Sequence, residues 1–355
     1  MIILNKDDVM KLVSMEDAIT VVERAFLKHA AGRTVYPPKT QFTLPNQPEK
    51  WWGFMPVFVD GMGVACKIVS DYPKNKELGK PTITATLVFC DVDTGEVKAI
   101  MDGNYLTAVR TGALGALAAK YLAREDAKTV GIIGCGVQAR TQLEGLTKVR
   151  KIEKVKISDL NDSAMDAFIE DMKKLKVPIE KSTSDGVLDC DIVVAATLSK
   201  KPVVLGNKIR PGTHVTSIGA HTPDARELDD DLMSKARVVI DSQDAKKSGD
   251  LKGYKGELVE VQELIGGRRV RRTQADVTLF KSVGTALQDV AMASLVYEKA
   301  KKRGIGKRYS DNTQLSSLNL VKHKPVYRAL HQMSSRAHNV QPVCGFLNLA
   351  ICLIV

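Results

Sequence analysis

Lys128–Asp159 reads KTVGIIGCGVQARTQLEGLTKVRKIEKVKISD, and this stretch decides the fold. A short apolar run, Val130 to Ile133, leads into Gly134-Cys-Gly136-Val-Gln-Ala139. A helical pattern continues to Val149, and a second apolar run, Lys154 to Ser158, ends on Asp159. Strand, glycine turn, helix, strand and acidic end, in that order, are the parts of a βαβ dinucleotide site. Gly134 lets the chain turn tightly, Gly136 lets backbone approach a pyrophosphate, and Ala139 takes the third small position, where helix and strand pack. The free N–H groups and positive dipole of the helix start then face the phosphates. Asp159 stands where a carboxylate accepts hydrogen bonds from ribose hydroxyls and repels a 2′-phosphate. Leu160 and Asn161, which follow it, bring no cation, so NAD is expected rather than NADP. The competing reading is a glycine turn in an ordinary α/β domain.

Beyond this unit the βαβ pattern repeats. Met165–Leu175 reads as a helix, and Asp191–Ala196, Val215–Ile218 and Val238–Asp241 read as apolar strands. Their ends are small or polar, as the carboxyl edge of a doubly wound parallel sheet requires. Asp276–Asp289 reads as strand, glycine turn and helix start, with the helix running to about Arg303 and returning toward the first domain.

Before the unit the pattern differs. Ser14-Met-Glu-Asp17 is a capping signal that opens an amphipathic helix to about Ala31, with Ile19, Val22 and Phe26 on its core face. Alternating residues after Tyr36-Pro-Pro-Lys39, then Trp51–Val59, Met62–Val69, Thr82–Cys90 and Val97–Met101, read as strands. Lys67 lies in the apolar strand VACKIVS, where a charge is costly unless it meets a partner or ligand. An edge-strand lysine reaching water is the alternative. Asp102–Leu122 is a helix rich in Ala and Gly, close-packed against something, and Arg110 is its one cation before Lys120. Arginine is the planar binder of carboxylates, and a buried structural ion pair is the alternative here.

Composition sets outer limits. The chain has 355 residues, room for two domains, with 44% hydrophobic and 26% charged residues. No apolar run reaches the ~20 residues of a membrane span, and the N-terminus lacks a signal-peptide layout. Six scattered cysteines indicate neither a zinc site nor a disulfide frame, and a cytoplasmic setting is expected. Of the net charge of +11, four lie in the tail from Arg308. The densest basic run, Gly266–Arg272, lacks interleaved aromatics and reads as a solvated loop rather than a nucleic-acid patch. From Arg308 the chain loses its period and reads as a poorly ordered appendage; His323, His331 and His338 there do not suggest a metal site.

Several stretches together resemble the ornithine cyclodeaminase/mu-crystallin family, and most of all its archaeal-type alanine dehydrogenase branch. They are Tyr36-Pro-Pro-Lys39, Lys67 with Asp71-Tyr-Pro, Gly79-Lys-Pro-Thr82, Met101-Asp-Gly-Asn, Thr107-Ala-Val-Arg110-Thr-Gly-Ala, Ile133–Ala139, Gly219-Ala-His221-Thr-Pro, Arg226-Glu-Leu-Asp and Val277–Gly284. The resemblance implies a homodimer. Residues 1–126 with 287–307 would form a substrate and dimerisation domain of α+β type, built from both chain ends. Residues 127–286 would form a Rossmann-type NAD domain, and 308–355 an atypical tail. By position, Lys67 and Arg110 would hold a substrate carboxylate, with Lys39 beside them and Val283 against the substrate. Gly134, Gly136, Val137, Gln138 and Asp159 would meet NAD, with Thr82, Arg110, Thr197 and Ser282. Val215, Thr216, Ser217 and Ile218 would line it as well.

One position departs from the family. Its cyclodeaminases and alanine branch carry Asp where this chain has His221. A neutral imidazole can relay a proton but offers no fixed charge to a second ammonium. Asp224, three residues on, is the candidate substitute, so Lys67, His221 and Asp224 are the catalytic candidates. The expected chemistry is hydride transfer at an amino-acid α carbon, as in an alanine dehydrogenase or a cyclic-imine reductase. An ornithine cyclodeaminase forming proline, or a non-catalytic binding protein of the mu-crystallin type, are the alternatives. Neither a nucleic acid nor a membrane is expected as a partner.

Overall fold

The first of two sheets opens with β1 (Ile2–Leu4), too short to show any period in the sequence. α1 (Lys6–Leu12) follows, capped by Asn5, whose side chain accepts from the Asp8 N–H at 2.9 Å. Ser14 accepts from the Asp17 N–H at 3.2 Å and opens α2 (Met15–Ala30), which buries Ile19, Val22 and Phe26. Then come β2 (Thr34–Val35), β3 (Thr40–Leu44), β4 (Gln47–Val59), β5 (Gly63–Asp71), β6 (Ile83–Cys90) and β7 (Val97–Asp102). Their order is β1-β7-β6-β5-β4-β2, with β3 also paired to β4. Of these pairs, β1–β7 alone is parallel. β5 is therefore an interior strand, and Lys67 is 2% exposed, so it does not reach water along an edge. The coordinates are a computed structural model that describes residues 1–309, of which Ile2–Lys307 form one compact unit.

α3 (Gly103–Leu122) carries Arg110 toward the second sheet. That sheet starts with β8 (Thr129–Ile133), the glycine turn, α4 (Val137–Val149) and β9 (Lys154–Ser158). α5 (Asp162–Met172), β10 (Ile179–Lys181), α6 (Ser184–Leu188), β11 (Ile192–Ala195) and β12 (His214–Ser217) follow. α7 (Asp230–Lys235), β13 (Arg237–Ile240), β14 (Leu258–Glu260), α8 (Val261–Ile265) and β15 (Thr278–Lys281) complete it. The order is β10-β9-β8-β11-β12-β15-β13-β14, with every pair parallel. The chain winds outward from β8 to β10, then returns to the other side of β8 with β11. That reversal is the crevice where open α/β sheets bind ligands. Apolar residues cover both faces, Val155, Ile157 and Phe168 on one and Leu228, Leu232 and Leu279 on the other.

α3 packs on α4, which answers what its small residues are for. A methyl group at Gly112 would lie 2.4 Å from the Thr141 carbonyl oxygen, and one at Gly145 would lie 2.7 Å from that of Gly112. Gln142, fully buried in α4, donates to the Thr111 carbonyl at 2.9 Å. The helix that bears Arg110 is thus locked to the helix that starts at the glycine turn. α9 (Ala286–Arg303) returns to pack on α2, β4 and β5, as its sequence suggested.

The basic run is mostly exposed, as a solvated loop would be, yet two of its arginines are tied down. Arg268 pairs with Glu257 and Glu263, and the half-buried Arg271 donates to the carbonyls of Leu122 at 2.6 Å and Gly212 at 3.1 Å. Among the described residues no helix is long and apolar enough to cross a membrane. Of the expected tail, Arg308 closes a short strand, Lys307–Arg308, while residues 310–355, with the three histidines, lie outside the described residues.

Candidate active site

Two cations, Lys67 from β5 and Arg110 from α3, gather around one acid from the returning helix. Asp289, in the first turn of α9 and 2% exposed, has Oδ2 2.8 Å from Lys67 Nζ and Oδ1 3.2 Å from Arg110 Nε. Both contacts are ion pairs by distance, yet neither Asp289 oxygen nor Arg110 Nε has an aligned hydrogen bond. Arg110 Nη1 donates to Gln288 Oε1 at 2.6 Å, and Gln288 returns a bond to the Arg110 carbonyl at 3.3 Å. Arg110 is therefore both a buried ion-pair partner and a cation with unused donors. Burial pushes the Lys67 ammonium down to about 8; Asp289 opposes the shift, while Arg110 and Lys39 add to it.

This cluster touches the carboxyl edge of the second sheet. A methyl group at Gly284 would lie 2.8 Å from both terminal nitrogens of Arg110. Gly284, with φ +85°, ends the turn that leaves β15. Asp241, at the end of β13, clamps that turn through Oδ2, accepting from Ser282 Oγ at 2.7 Å, Val283 N at 2.8 Å and Gly284 N at 2.6 Å. Burial still raises the Asp241 carboxyl above its ordinary range. The Tyr36 phenol is pushed up by burial and then by the nearby Asp241, and stays neutral. Lys67, Arg110, Ser282 and Val283 thus converge, with Asp241 and Asp289 as the acids that the sequence reading had not singled out. β15 lies three strand spacings from β8, roughly 14 Å along the same edge.

At the other end of that edge the glycine turn is built for a dinucleotide. Gly134 has φ +92°, and a methyl group there would strike the Ala196 carbonyl at 2.5 Å. Nothing lies within 4 Å of where a Gly136 methyl would sit, and Gly136 caps α4 without any side-chain bond. The Oε1 of Gln138, in the first helical turn, is buried without a partner. Val137, Leu160 and Leu198 stand exposed around the turn. Asp159 is fixed by the N–H groups of Cys135 at 2.7 Å and Asn161 at 2.8 Å. Arg140, a cation beside the turn, is engaged by Asp171 at 2.8 Å and by the Cys135 and Gly136 carbonyls. Open helix N–H groups, an orphaned acceptor, an apolar rim and a carboxylate suit the phosphates, adenine and ribose of NAD.

Other candidates separate. Thr197 and His221 lie half-buried at the ends of β11 and β12, and His221 Nδ1 is 2.9 Å from the Gly219 carbonyl. A carbonyl only accepts, so Nδ1 carries a proton and Nε2 is the ring nitrogen left to exchange one. Asp71, at the end of β5, is lifted by burial and pulled back by the nearby His221. Asp224 is 60% exposed in its side chain, paired to Lys200 at 2.8 Å and bonded by Thr222 at 2.7 Å, which holds it below the ordinary range, at about 2. Its charge is spent at the surface, on Lys200. Val215 and Thr216 are enclosed within the sheet, and Ser217 Oγ turns inward to Glu227 and Asp250. No side chain of these three faces an open edge. Ile218 is buried just beyond them, and Thr82, half-buried, accepts from the Tyr72 N–H through its carbonyl at 2.8 Å.

A model of the ornithine cyclodeaminase/mu-crystallin family matches residues 1–304. An alanine dehydrogenase of Archaeoglobus fulgidus is 35% identical over 86% of this chain and 97% of its own. The structure of the Thermococcus litoralis Δ1-pyrroline-2-carboxylate reductase with NADH and L-proline superposes with a TM-score of 0.83 at 38% identity, over 87% of this chain and 100% of that one. An archaeal alanine dehydrogenase dimer with bound NAD superposes with a TM-score of 0.83 at 35% identity, over 87% and 99%.

Proposed function

This chain belongs to the ornithine cyclodeaminase/mu-crystallin family, and from that premise we propose that it is an NAD-dependent oxidoreductase of a small 2-amino acid or its imine. The observation that carries this reading is the convergence of Lys67 and Arg110 on Asp289 beside the turn that ends β15. Lys67 and Arg110 share Asp289, Lys39 acts on Lys67 and Asp241 lies near Arg110; against these three cations and two acids, a substrate carboxylate completes the charge balance. Arg110 offers a planar fork to it, and Lys67 a point charge. Fixing the carboxylate at two points orients the α carbon, and orientation of this kind is worth several kcal/mol, on the order of 7–11 in the best intramolecular cases. NAD, when bound by the glycine turn, Gln138 and Asp159, supplies the two-electron exchange at that carbon. Amine and imine differ by a hydride at the α carbon, which NAD would carry, and a proton at the substrate nitrogen, which His221 Nε2 would take or return. Val283 packs against the substrate side chain.

By this reading residues 1–126 with 287–307 are the substrate and dimerisation domain, and 127–286 the nucleotide domain. The dimeric archaeal alanine dehydrogenase supports a homodimer here. An ornithine cyclodeaminase needs an anion for the distal ammonium; His221 stands at that position, and Asp224 is tied to Lys200. NADH fluorescence titration followed by turnover with a panel of amino acids and cyclic imines tests the proposal. Expected are NADH binding and NAD-linked turnover of a monoamine acid or its imine. NADH binding with no turnover would leave a binding protein, and proline from ornithine with catalytic NAD would make it a cyclodeaminase.

A further inference from the structure

Behind the carboxyl edge of the second sheet lies a charged cluster that the proposed reaction does not use. Glu227 is 0% exposed, between Arg226 and Leu228 in a segment that leads to α7. Its Oε1 accepts from Thr197 N at 2.6 Å and Thr197 Oγ1 at 2.9 Å. Its Oε2 accepts from Ser217 Oγ at 2.8 Å, Gly219 N at 2.9 Å and Ala220 N at 3.2 Å. One carboxylate therefore ties the end of β11 to the end of β12 and the loop beyond. Glu227 is itself held from behind. Asp250 Oδ1 accepts from the N–H groups of Glu227 at 2.7 Å and Leu228 at 3.0 Å, and Asp250 Oδ2 pairs with the fully buried Lys281 at 2.7 Å. A methyl group at Gly219 would come within 1.9 Å of the Thr197 carbonyl, so the two strand ends are drawn to backbone contact.

We infer that Glu227 is a positioning residue for the reaction: it sets Thr197 and the Gly219–His221 loop in one frame at the cofactor edge. The chain of contacts runs from the Glu227 carboxylate to the Gly219 and Ala220 N–H groups, and from the Gly219 carbonyl to His221 Nδ1. Glu227 thereby fixes both the place and the tautomer of the imidazole without touching a ligand. Only an acceptor-only group suits five converging donors. Glutamine at this position turns an NH2 toward either the Thr197 pair or the Ser217–Ala220 trio, and releases one strand end.

The inference rests on the NAD reading, and its test has one arm that does not. In apo protein, Glu227→Gln is expected to speed amide hydrogen exchange at Thr197, Gly219 and Ala220 at least tenfold, with β8 and β9 unchanged. NADH affinity, followed by fluorescence, is expected to weaken at least tenfold, and kcat to fall more than the amino-acid KM rises. Glu227→Asp restores part of both. His214→Gln is the control: His214 is fully buried in the amino half of β12, bonded to Thr278 at 3.0 Å and Thr216 at 3.2 Å. It is expected to lower Tm without loosening the three amides. Should Glu227→Gln not fold, Ser217→Ala removes one Oε2 donor and is expected to speed the Gly219 and Ala220 amides about threefold. Unchanged exchange in either folded variant overturns the inference. Faster exchange with NADH affinity within twofold of wild type also overturns it. A wild-type protein that does not bind NADH sinks the function proposed above but leaves the exchange result to judge the latch.

Discussion

Replacing Asp289 by Asn removes the one acid that Lys67 and Arg110 share. The side chain is 2% exposed, with the two cations at 2.8 and 3.2 Å, so the amide leaves two buried charges without their counter-ion. Breaking such a pair by removing one partner costs about 3–5 kcal/mol. Part of that cost is avoidable, because Lys67 can lose its proton. Its pKa already lies at about 8, below its ordinary value, with Asp289 holding it up. Without Asp289 it falls further. A lysine whose pKa is depressed on folding binds fewer protons folded than unfolded, so stability rises with pH across the gap. Asp289→Asn is therefore expected to lose the full amount near pH 6.5 and distinctly less at pH 9. A bound carboxylate is a second remedy. Propionate at 100 times its Kd adds about 2.7 kcal/mol to any state that binds it, and the gain should be larger for the variant than for wild type at pH 6.5. Urea unfolding at both pH values, with and without propionate, measures all of this. A variant as stable as wild type at pH 6.5, or a loss independent of pH, would refute the assignment of two charged cations to one acid.

Four further outcomes follow from the same contacts. Arg110→Ala should lower kcat/KM for the amino acid roughly ten- to hundredfold, the worth of about 1.5–3 kcal/mol for a charge-assisted bond; NADH titration should stay within threefold of wild type. Asp159→Ala should weaken NADH about tenfold and raise the NADPH-to-NADH preference, since the carboxylate that repels a 2′-phosphate is gone; binding isotherms for both dinucleotides check it. Inhibition by propionate, which stays ionised throughout, should weaken about tenfold per pH unit above about 8, where Lys67 loses its charge; a flat Ki from pH 7 to 9.5 would exclude Lys67 from the anion site. Gly112→Val puts a side chain where 2.4 Å separates a Cβ from the Thr141 carbonyl, an overpacking of about 1–3 kcal/mol or more, and should lower Tm together with substrate affinity.

What could be read in the sequence was what local order encodes. The glycine turn, its two strands and Asp159 sit within one continuous stretch, so spacing alone assembles them. The alternation of β4 to β7 and the capped start of α2 are local in the same sense. The acids of the site are not. Asp289 near the start of a helix reads as an ordinary complement to the helix dipole, and only folding carries it to Lys67 and Arg110. Glu227 lies in the Arg226-Glu-Leu-Asp stretch that carries the family resemblance, yet nothing local to that stretch shows that its side chain is fully enclosed. Lys281 ends an apolar strand and meets Asp250 only through the return of the chain. Val215 and Thr216 show the converse limit: strand ends can be located by pattern, but not which side chains at that end face outward.

The Ala- and Gly-rich face of α3 joins these two kinds of information. Arg110 is useful only if it stands at a fixed distance from the cofactor edge, and no strand of the first sheet pairs with a strand of the second. The junction between them is built instead from helices without bulky side chains. Gly112, Gly115 and Gly145 let α3 and α4 approach to backbone contact, where Gln142 bonds the Thr111 carbonyl. α4 begins at the glycine turn, so the helix proposed to meet the phosphates also fixes the helix that bears Arg110, the proposed carboxylate anchor. Gln288 and the Gly284 turn then hold Arg110 from the β15 side. A rigid seam of this kind preserves orientation in a way that flexible side-chain packing does not, because backbone atoms have no rotamers with which to yield. Composition that reads as featureless helix in the sequence is, on this account, the part that sets the geometry of the reaction.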